Sequence, residues 1–386
     1  MAKKVLIVVG IPNFDYSNEK SAVSSFLVEI KLAFEKKGID VHFPKNSSKI
    51  VTLTSEEVKQ NGIKGLFKSL IKRWPWFYYT LANRIYFTKQ DGLIDEFSSK
   101  DNFTHIVEFH TAGSTFGIEL AKLFNAKLSV IFDSPVDEQF LKMYGTKTLY
   151  WNRIKQSEKL TLESADNLMV YSKACEDFIV TKYNIDSAIN ILPCVINKVP
   201  IKNEPGLTFK IGFIGSFLSW HKVDMLVKAF QIFNAKISEN SKLYLIGYGE
   251  EWTKIKTMVK ESGLEKTIVL PGFVSEEELN QYKKDFSIAI MPGSNWYGSP
   301  LKLFEYAQCG IPFIAPETKT VKSIFRNKEH CLFVDSADEL NSLVEHITFL
   351  YENKMERLEM GCRAREYYES NYSGDFYLKK LYQSLS

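Results

Sequence analysis

Short apolar segments alternate with longer helical patterns along the whole sequence, and this alternation restricts the fold more than any other feature. Candidate strands in the first half are VLIVV, VHF, HIVEF, LSVIF, NLMVY and INILP, and those in the second half are FKIGFIG, KLYLIG, TIVLPG, FSIAIM, PFIAP and CLFVD. Helical patterns lie between several of them, at residues 22–37, 115–124, 173–182, 222–233, 252–262, 276–284 and 301–308. Continuous Val/Ile/Leu runs separated by helices indicate parallel sheets covered on both faces. We therefore predict an α/β protein.

The length of 386 residues exceeds the usual size of a single core. The stretch NKVPIKNEPGLT, residues 197–208, has two prolines, a glycine and no periodicity, which is typical of a linker. We predict a domain at residues 1–197, a linker at 198–208 and a second domain from residue 209. Both domains are expected to be doubly wound and to face each other across a cleft, with ligands at the carboxyl ends of the strands.

Composition excludes several classes of protein. The net charge of +3 is too small for a typical nucleic-acid-binding protein. Five cysteines without CxxC spacing argue against a disulfide framework or a zinc site and favour a reducing, cytoplasmic compartment. The N-terminal VLIVVG has strand length and is followed by Gly-Ile-Pro-Asn, so we predict a strand there and no secretory signal. No apolar run reaches about 18 residues, so no membrane-spanning helix is expected.

The stretch GSPLKLFEYAQCGIPFIAP, beginning at residue 298, combines a helix start with charged residues. Ser299 is a suitable N-cap, and Pro300 suits the first helical position. The amides of Leu301 and Lys302 are then expected to lack partners within the helix. Such a helix end attracts phosphate.

Two interpretations of the charged residues remain open at this point. Lys302 adds a cation near the helix end, and Glu305 is placed to accept hydrogen bonds from a vicinal diol such as a ribose. That combination fits a nucleoside diphosphate. Equally, Lys302 and Glu305 can form an ordinary exposed i,i+3 ion pair.

The same stretch closely resembles the donor-binding signature of the retaining family 4 glycosyltransferases, which have the GT-B fold of two Rossmann-like domains. In that family, two glutamates separated by seven residues precede a small residue, Cys/Gly, Pro and an apolar run. Glu305 matches the second glutamate, which binds the ribose hydroxyls in the family, and Tyr297 stands at the position of the first. A branch of the family with SPLKLFEY also lacks the first glutamate. The resemblance implies a nucleotide-sugar site that includes Gly298, Ser299, Pro300, Leu301 and Lys302.

FKIGFIGSFLSWHKVDMLVKAF resembles the first strand, loop and helix of the family's donor domain. Gly215 matches the glycine that allows close approach of the donor. Ser216 and His221 stand where the family has its phosphate-binding Arg and Lys, and Lys222 follows one position late. With both family cations replaced, we expect the diphosphate to depend on the amides near Ser299, on Lys302, and on either Lys222 or a protonated His221.

The resemblance covers most of the remaining chain. Phe273 and Val274 match the segment whose backbone lies against the nucleobase. KLYLIGYGEE supplies a Gly-x-Gly turn, which on its own is a weak signal. Residues 209–370 correspond to the donor-binding domain, residues 371–386 to a last helix that crosses back, and residues 1–197 to the acceptor-binding domain.

Polar residues at two predicted strand ends are candidates for the acceptor side. His110 follows HIVEF, and Asp133 follows LSVIF at the position where many family members have a histidine near the reacting sugar. The alternatives are a core histidine for His110 and a helix cap for Asp133. The small residues that open the first helix, Ser21, Ala22, Ser24 and Ser25, are expected either to approach a ligand or to cap the helix.

Residues 59–89 contain seven Lys/Arg, eight aromatic residues and no acidic residue. This mixture suits a segment that lies on an anionic membrane. Enzymes of the family that this chain resembles dock on membranes through the N-terminal domain to reach lipid-linked acceptors. The resemblance therefore implies that this protein is located at the inner face of the cell membrane. A packed helix with a solvated basic face, or a site for a polyanionic acceptor, would have the same composition.

The resemblance implies a retaining, hexosyltransferase-type glycosyltransferase that uses a UDP- or GDP-linked sugar, has a cell-envelope glycan or glycolipid as acceptor and takes part in polysaccharide or lipopolysaccharide biosynthesis. His110, Asp133 and Lys302 are the candidate catalytic residues. No Asp-x-Asp motif occurs, so we expect no metal and no cofactor beyond the donor sugar. The alternatives are another GT-B enzyme, such as a nucleotide-sugar epimerase, and a non-catalytic protein that binds nucleotide sugars or glycans.

Overall fold

The computed structural model describes residues 3–18, 21–44, 75–185, 189–197, 201–237 and 240–386. The chain divides into two compact units. The first unit comprises residues 1–192 together with residues 378–386, and the second comprises residues 193–377.

The first unit has a sheet of six parallel strands within the described residues. The strands are β1 (Lys4–Val9), β2 (Asp40–His42), β3 (His105–Phe109), β4 (Lys127–Phe132), β5 (Asn167–Val170) and β6 (Ile189–Ile191). They pair in the order β2-β1-β3-β4-β5-β6. The helices are α1 (Ala22–Glu35), α2 (Pro75–Asp91), α3 (Phe116–Phe124), α4 (Val136–Tyr144), α5 (Trp151–Glu163) and α6 (Lys173–Tyr183). Every residue of β3 is buried, as a strand covered on both faces requires.

The second unit also has a sheet of six parallel strands. The strands are β7 (Lys210–Ile214), β8 (Lys242–Ile246), β9 (Ile268–Gly272), β10 (Ile288–Ile290), β11 (Phe313–Pro316) and β12 (Leu332–Val334). They pair in the order β12-β11-β10-β7-β8-β9. The helices are α7 (Val223–Lys236), α8 (Trp252–Glu261), α9 (Glu276–Asp285), α10 (Leu301–Cys309), α11 (Lys319–Ile324), α12 (Glu339–Glu352), α13 (Lys354–Tyr372) and α14 (Gly374–Leu385), whose last turns belong to the first unit.

The predicted α/β class with two parallel sheets is confirmed, and each of the twelve predicted strands is present. In each sheet the chain starts at an interior strand and adds later strands on both sides. The direction reverses between β1 and β3 in the first sheet and between β7 and β10 in the second. Loops that follow such neighbouring strands diverge and leave a crevice, which is where doubly wound sheets bind ligands.

Helix α10 is fixed to β7 by one buried side chain. The Tyr306 hydroxyl accepts a hydrogen bond from the Ile214 amide at 3.1 Å, and Tyr306 itself is fully buried. The start of α10 is therefore held close to the loop that follows β7.

The interdomain stretch expected at residues 197–208 has neither helix nor strand in its described part, residues 201–208. Asn203 donates hydrogen bonds to the carbonyls of Lys283 at 3.0 Å and Phe286 at 2.9 Å. This part of the chain is thus bound to the end of α9 within the second unit.

The structure describes part of the basic, aromatic segment at residues 59–89. Residues 59–74 lie outside the described residues, and residues 75–89 fall in α2. Across the described residues, every helix is too short or too polar to cross a bilayer.

Candidate functional site

The start of α10 differs from the sequence prediction in its cap. Pro300, rather than Ser299, occupies the N-cap position, and within the described residues no side-chain hydrogen bond caps this helix. The Ser299 hydroxyl instead donates to the Cys194 carbonyl at 2.8 Å. The prediction of Ser299 as N-cap is wrong because a carbonyl distant in sequence takes its hydroxyl. With no capping side chain, the helix end stays open to another acceptor.

One of the two amides expected to be free at this helix end is occupied. The Leu301 amide donates to the Ser299 carbonyl at 2.9 Å. Among the described residues, nothing accepts a hydrogen bond from the Lys302 amide. The anion-binding potential of the helix end therefore resides in the Lys302 amide, the Lys302 ammonium and the helix dipole.

Glu305 forms the i,i+3 ion pair with Lys302 that one interpretation of the sequence predicts. The carboxylate of this pair, however, is largely buried. The Lys302 Nζ lies 3.5 Å from Glu305 Oε2, while the Lys283 Nζ lies 2.8 Å from Glu305 Oε1. The side chain of Glu305 is only 10% exposed and that of Lys283 only 2%. Glu305 is thus a largely buried carboxylate with a lysine at each oxygen.

Lys283 is the residue that sequence reasoning missed. It is the buried residue of α9, a helix whose other side chains are at least partly exposed. Its neighbour Lys284 is 52% exposed, so the sequence pattern Lys-Lys does not distinguish the two. The contact with Glu305 joins residues that are 22 positions apart in the chain.

The two candidate cations after β7 already have partners. The Lys222 Nζ lies 2.7 Å from Glu339 Oε2. The His221 Nδ1 lies 2.6 Å from the Ser216 carbonyl oxygen. Burial lowers the pKa of His221, and the nearby charge of Lys302 lowers it further. The neutral imidazole is therefore favoured near neutral pH, so Lys222 is the better candidate of the two for a cation.

The loop that contains Gly215 is in close contact with the glycine turn after β8. A Cβ on Gly247, whose φ is +132°, would come within 1.9 Å of the Gly215 carbonyl oxygen. A Cβ on Gly249 would meet the Phe217 carbonyl oxygen at 2.5 Å. The Gly-x-Gly turn therefore lets the loop after β8 lie directly on the loop after β7.

The residues proposed to lie near the nucleobase and the sugar have different surroundings. Phe273 is 79% exposed, and its ring lies 5.8 Å from that of Tyr248. Val274 directly follows it. Tyr297, at the position of the family's first glutamate, is 3% exposed and packs edge-on against Trp296. Gly298 faces open space, since a Cβ there would meet no atom within 4 Å.

In the first unit, His110 lies where the chain leaves β3, next to the reversal of strand order. Its side chain is 4% exposed, and neither ring nitrogen has a hydrogen-bond partner within the described residues. The adjacent Thr111 hydroxyl is also buried and also has no hydrogen-bond partner within the described residues. Burial lowers the pKa of His110 to about 4. A neutral imidazole with one free donor and one free acceptor is unusual in a core and is typical of a binding site.

Asp133 lies where the chain leaves β4, the strand that pairs with β3. It is partly buried. Burial raises its pKa to about 6, while hydrogen bonds with Tyr171 and Ser134 oppose this shift. Asp133 therefore changes its charge close to physiological pH.

The small residues that open α1 are used by the chain itself. The Ser21 hydroxyl accepts from the Ser24 amide at 3.2 Å, and the Ser24 hydroxyl donates to the Asp15 carbonyl at 2.8 Å. Within the described part of the chain, no three His, Cys, Asp or Glu residues are grouped so that they could hold a metal ion.

Residues 197–367, which make up most of the second unit, match the family Glycosyl transferases group 1. The match covers less than half of the chain and lies within its second unit. A relative, the poly(ribitol-phosphate) alpha-N-acetylglucosaminyltransferase of Staphylococcus aureus (strain COL), is 25% identical over 232 residues, which cover 58% of this chain and 45% of the relative. The chain spans about half the length of that relative.

Two solved structures resemble this chain in fold. One is a mutant of S. aureus TarM in complex with fondaparinux, alpha-GlcNAc-glycerol and UDP, with a TM-score of 0.58, 19% identity and coverage of 75% of this chain and 56% of that chain. The other is the sucrose-phosphate synthase of Thermosynechococcus elongatus, with a TM-score of 0.69, 16% identity and coverage of 99% and 98%. These likenesses confirm the predicted GT-B class of two Rossmann-like units.

The raised pKa of Asp133 leads to a prediction about stability. An unfolded aspartate titrates near 3.8, so the stabilising effect of the protonated form is complete below that pH and is lost as pH rises through about 6. Asp133→Asn keeps the shape and an oxygen acceptor without the charge. We expect this variant to melt roughly 2–4 °C above the parent at pH 8, with a smaller difference at pH 4.5, measured by differential scanning calorimetry. An equal decrease at both pH values would contradict the assignment.

Proposed function

We propose that this protein is a retaining glycosyltransferase that moves a sugar from a nucleotide-diphosphate sugar to a glycan or lipid-linked acceptor of the cell envelope. The observation that carries the proposal is the uncapped start of α10 beside the strand reversal, with Lys302 and the buried Glu305 on its first turns. Its occurrence in a group 1 glycosyltransferase domain supports this use. The named activity of the S. aureus relative supports a phosphate-containing cell-wall polymer as acceptor.

The donor half of the reaction depends on α10. The Lys302 amide and ammonium bind the diphosphate and stabilise the negative charge that develops as the bond from the anomeric carbon to the phosphate oxygen breaks. Glu305 accepts hydrogen bonds from the ribose hydroxyls. Lys222 contributes a further positive charge, for which the diphosphate competes with Glu339. No metal is needed for this charge stabilisation.

The acceptor half depends on the first unit. The acceptor oxygen attacks the anomeric carbon on the face that the leaving group occupies, and its proton passes to the departing diphosphate. His110 and Asp133 then need only orient the acceptor. The two unpartnered nitrogens of His110 are suited to bind a hydroxyl, and Asp133 can accept a second one.

A non-catalytic sugar-binding protein is the second candidate function. It is favoured by the absence of the first glutamate at Tyr297 and by the existing partners of His221 and Lys222. A nucleotide-sugar epimerase is a further GT-B possibility. A transferase releases nucleoside diphosphate only when an acceptor is present. An epimerase interconverts nucleotide sugars without an acceptor, and a binding protein neither releases nucleoside diphosphate nor interconverts the sugars.

The donor site is tested by substitutions in α10. We expect Glu305→Gln to weaken binding of UDP or GDP about tenfold, since it removes one charged hydrogen-bond acceptor. Lys302→Met should weaken binding of the diphosphate by a similar factor and leave binding of the nucleoside unchanged. Isothermal titration calorimetry on both ligands gives these values. Lys322→Met is the matched control, because Lys322 is also a partly exposed lysine of the second unit that pairs with a glutamate, Glu317. Unchanged affinity in Glu305→Gln would remove the ribose role.

The acceptor site is tested at His110. We expect His110→Ala to lower the rate of transfer to poly(ribitol phosphate), or to another acceptor from a glycan panel, by at least about tenfold, with donor affinity unchanged. Radiolabelled transfer and calorimetry separate the two effects. His42→Ala provides the control, since within the described residues the hydrogen bond of the His42 ring is with the exposed Asp40. A parallel loss of donor binding would argue against an acceptor role.

We also propose that α2 contacts the anionic inner face of the cell membrane. Its inner face is anchored by Phe87, which is 3% exposed, and by Gln90, which donates to the Gly10 carbonyl at the end of β1. On the opposite face Leu81 and Ile85 are 44% and 55% exposed, beside basic Arg84 and Lys89. Apolar side chains flanked by basic ones suit an anionic interface.

The membrane contact is tested by flotation with liposomes. We expect the double variant Leu81→Ser, Ile85→Ser to lose at least half of the binding to phosphatidylglycerol vesicles, because burial of each apolar side chain contributes roughly 1.5–3 kcal/mol. Val28→Ser on α1, where the side chain is similarly exposed, should bind as the parent does. Equal binding of the parent to neutral and anionic vesicles, or to neither, would contradict this proposal.

A further inference from the structure

Lys283 is a buried lysine that none of the steps above uses. Its side chain is 2% exposed, and its ammonium lies 2.8 Å from Glu305 Oε1 and 3.7 Å from Glu276 Oε1. Glu276 is 54% exposed, so water screens that contact, whereas Glu305 is largely buried. The main partner of the Lys283 charge is therefore Glu305.

Burial of an ammonium group is costly unless a partner compensates for it, and the same holds for a carboxylate. Each of the two charges makes burial of the other possible. Lys283 approaches one carboxylate oxygen of Glu305, whereas the oxygen nearer to Lys302 lies 3.5 Å from that ammonium. Lys283 thus fixes the rotamer of Glu305 from inside the protein. The other carboxylate oxygen lies on the side of Lys302, at the start of the helix.

The backbone around Lys283 is also fixed. Asn203 donates to the carbonyl of Lys283 and to that of Phe286, so the last turn of α9 is held by the chain segment that enters the second unit. On the other side, Cys309 follows Glu305 by one turn of α10. Burial raises the pKa of its thiol, and the charge of Lys283 lowers it. The groups that face the Lys283 ammonium are accordingly Glu305, Glu276 and Cys309.

We propose that Lys283 is a positioning residue that holds Glu305 ionised and oriented, so that the Glu305 carboxylate accepts hydrogen bonds from the ribose hydroxyls of the donor. The preference of the protein for ribose over deoxyribose nucleotides then depends on Lys283, although Lys283 does not touch the ligand. This inference rests on the proposed donor site at α10.

The test compares the affinities for UDP and 2′-deoxy-UDP by calorimetry, or for GDP and 2′-deoxy-GDP if GDP binds the parent more tightly. The parent is expected to prefer the ribose form about tenfold, one charged hydrogen bond being of that size. Lys283→Met should lose most of this preference through weaker binding of the ribose form alone. Lys284→Met, one residue along the same helix and exposed, should keep it. Lys283→Arg retains the charge and should restore at least part of the preference.

A double-mutant cycle separates positioning from a general structural role. In the Glu305→Gln background, Lys283→Met should change the affinity for UDP by less than about twofold, because the group that Lys283 orients is already altered. The inference would be overturned if Lys283→Met lowered the affinities for the ribose and deoxyribose nucleotides equally. It would also be overturned if Lys283→Met lowered the affinity for UDP as much in the Glu305→Gln background as in the parent. Where Lys283→Met does not fold, Lys283→Arg and Lys283→Gln carry the same comparison.

The outcomes also distinguish this inference from the proposed function. If the parent binds neither UDP nor GDP, both are overturned. If the parent binds and Glu305→Gln loses the ribose preference while Lys283→Met keeps it, the donor site stands and the role of Lys283 is wrong. Loss of the preference in both single variants supports both statements.

Discussion

Parallel pairing of β7 with β10 brings the loops that follow these strands to the same edge of the second sheet, and every ligand-related feature of this unit depends on that pairing. Gly293, in the loop after β10, has room only for a hydrogen: a Cβ there would meet the Trp220 carbonyl oxygen at 2.4 Å. The two loops are therefore in direct contact. Helix α10 begins next to them, and its dipole adds positive potential at the same edge.

Charges in the second unit are already paired before any donor is present. Lys222 pairs with Glu339, Lys302 contacts Glu305, and Lys283 neutralises Glu305 from the interior. Pairing of this kind maintains buried charges that would otherwise destabilise the fold. In the proposed donor site, a diphosphate would compete for the two more exposed lysines, Lys222 and Lys302, and would leave the pair of Lys283 and Glu305 intact.

The fold was predictable because its signals are local. Continuous apolar runs such as VLIVV identify buried parallel strands, and the order of the predicted strands with intervening helices specifies the doubly wound class. The helix at Leu301–Cys309 was expected within one residue. Details of the candidate site were less accessible, because they depend on contacts between distant residues. Ser299 bonds a carbonyl 105 positions away, and Lys283 resembles Lys284 in sequence while only one of them is buried.

The hydrogen bond between the Ile214 amide and the Tyr306 hydroxyl has a dynamic consequence. It fastens the helix that carries Glu305 to the strand that leads into the loop of Gly215. Since both groups are buried, separating them would leave an unsatisfied donor in the core. The carboxylate and the glycine loop are therefore coupled as one rigid frame. Side chains outside this frame, such as Lys302 and Phe273, are exposed to solvent and are not held by such a buried contact.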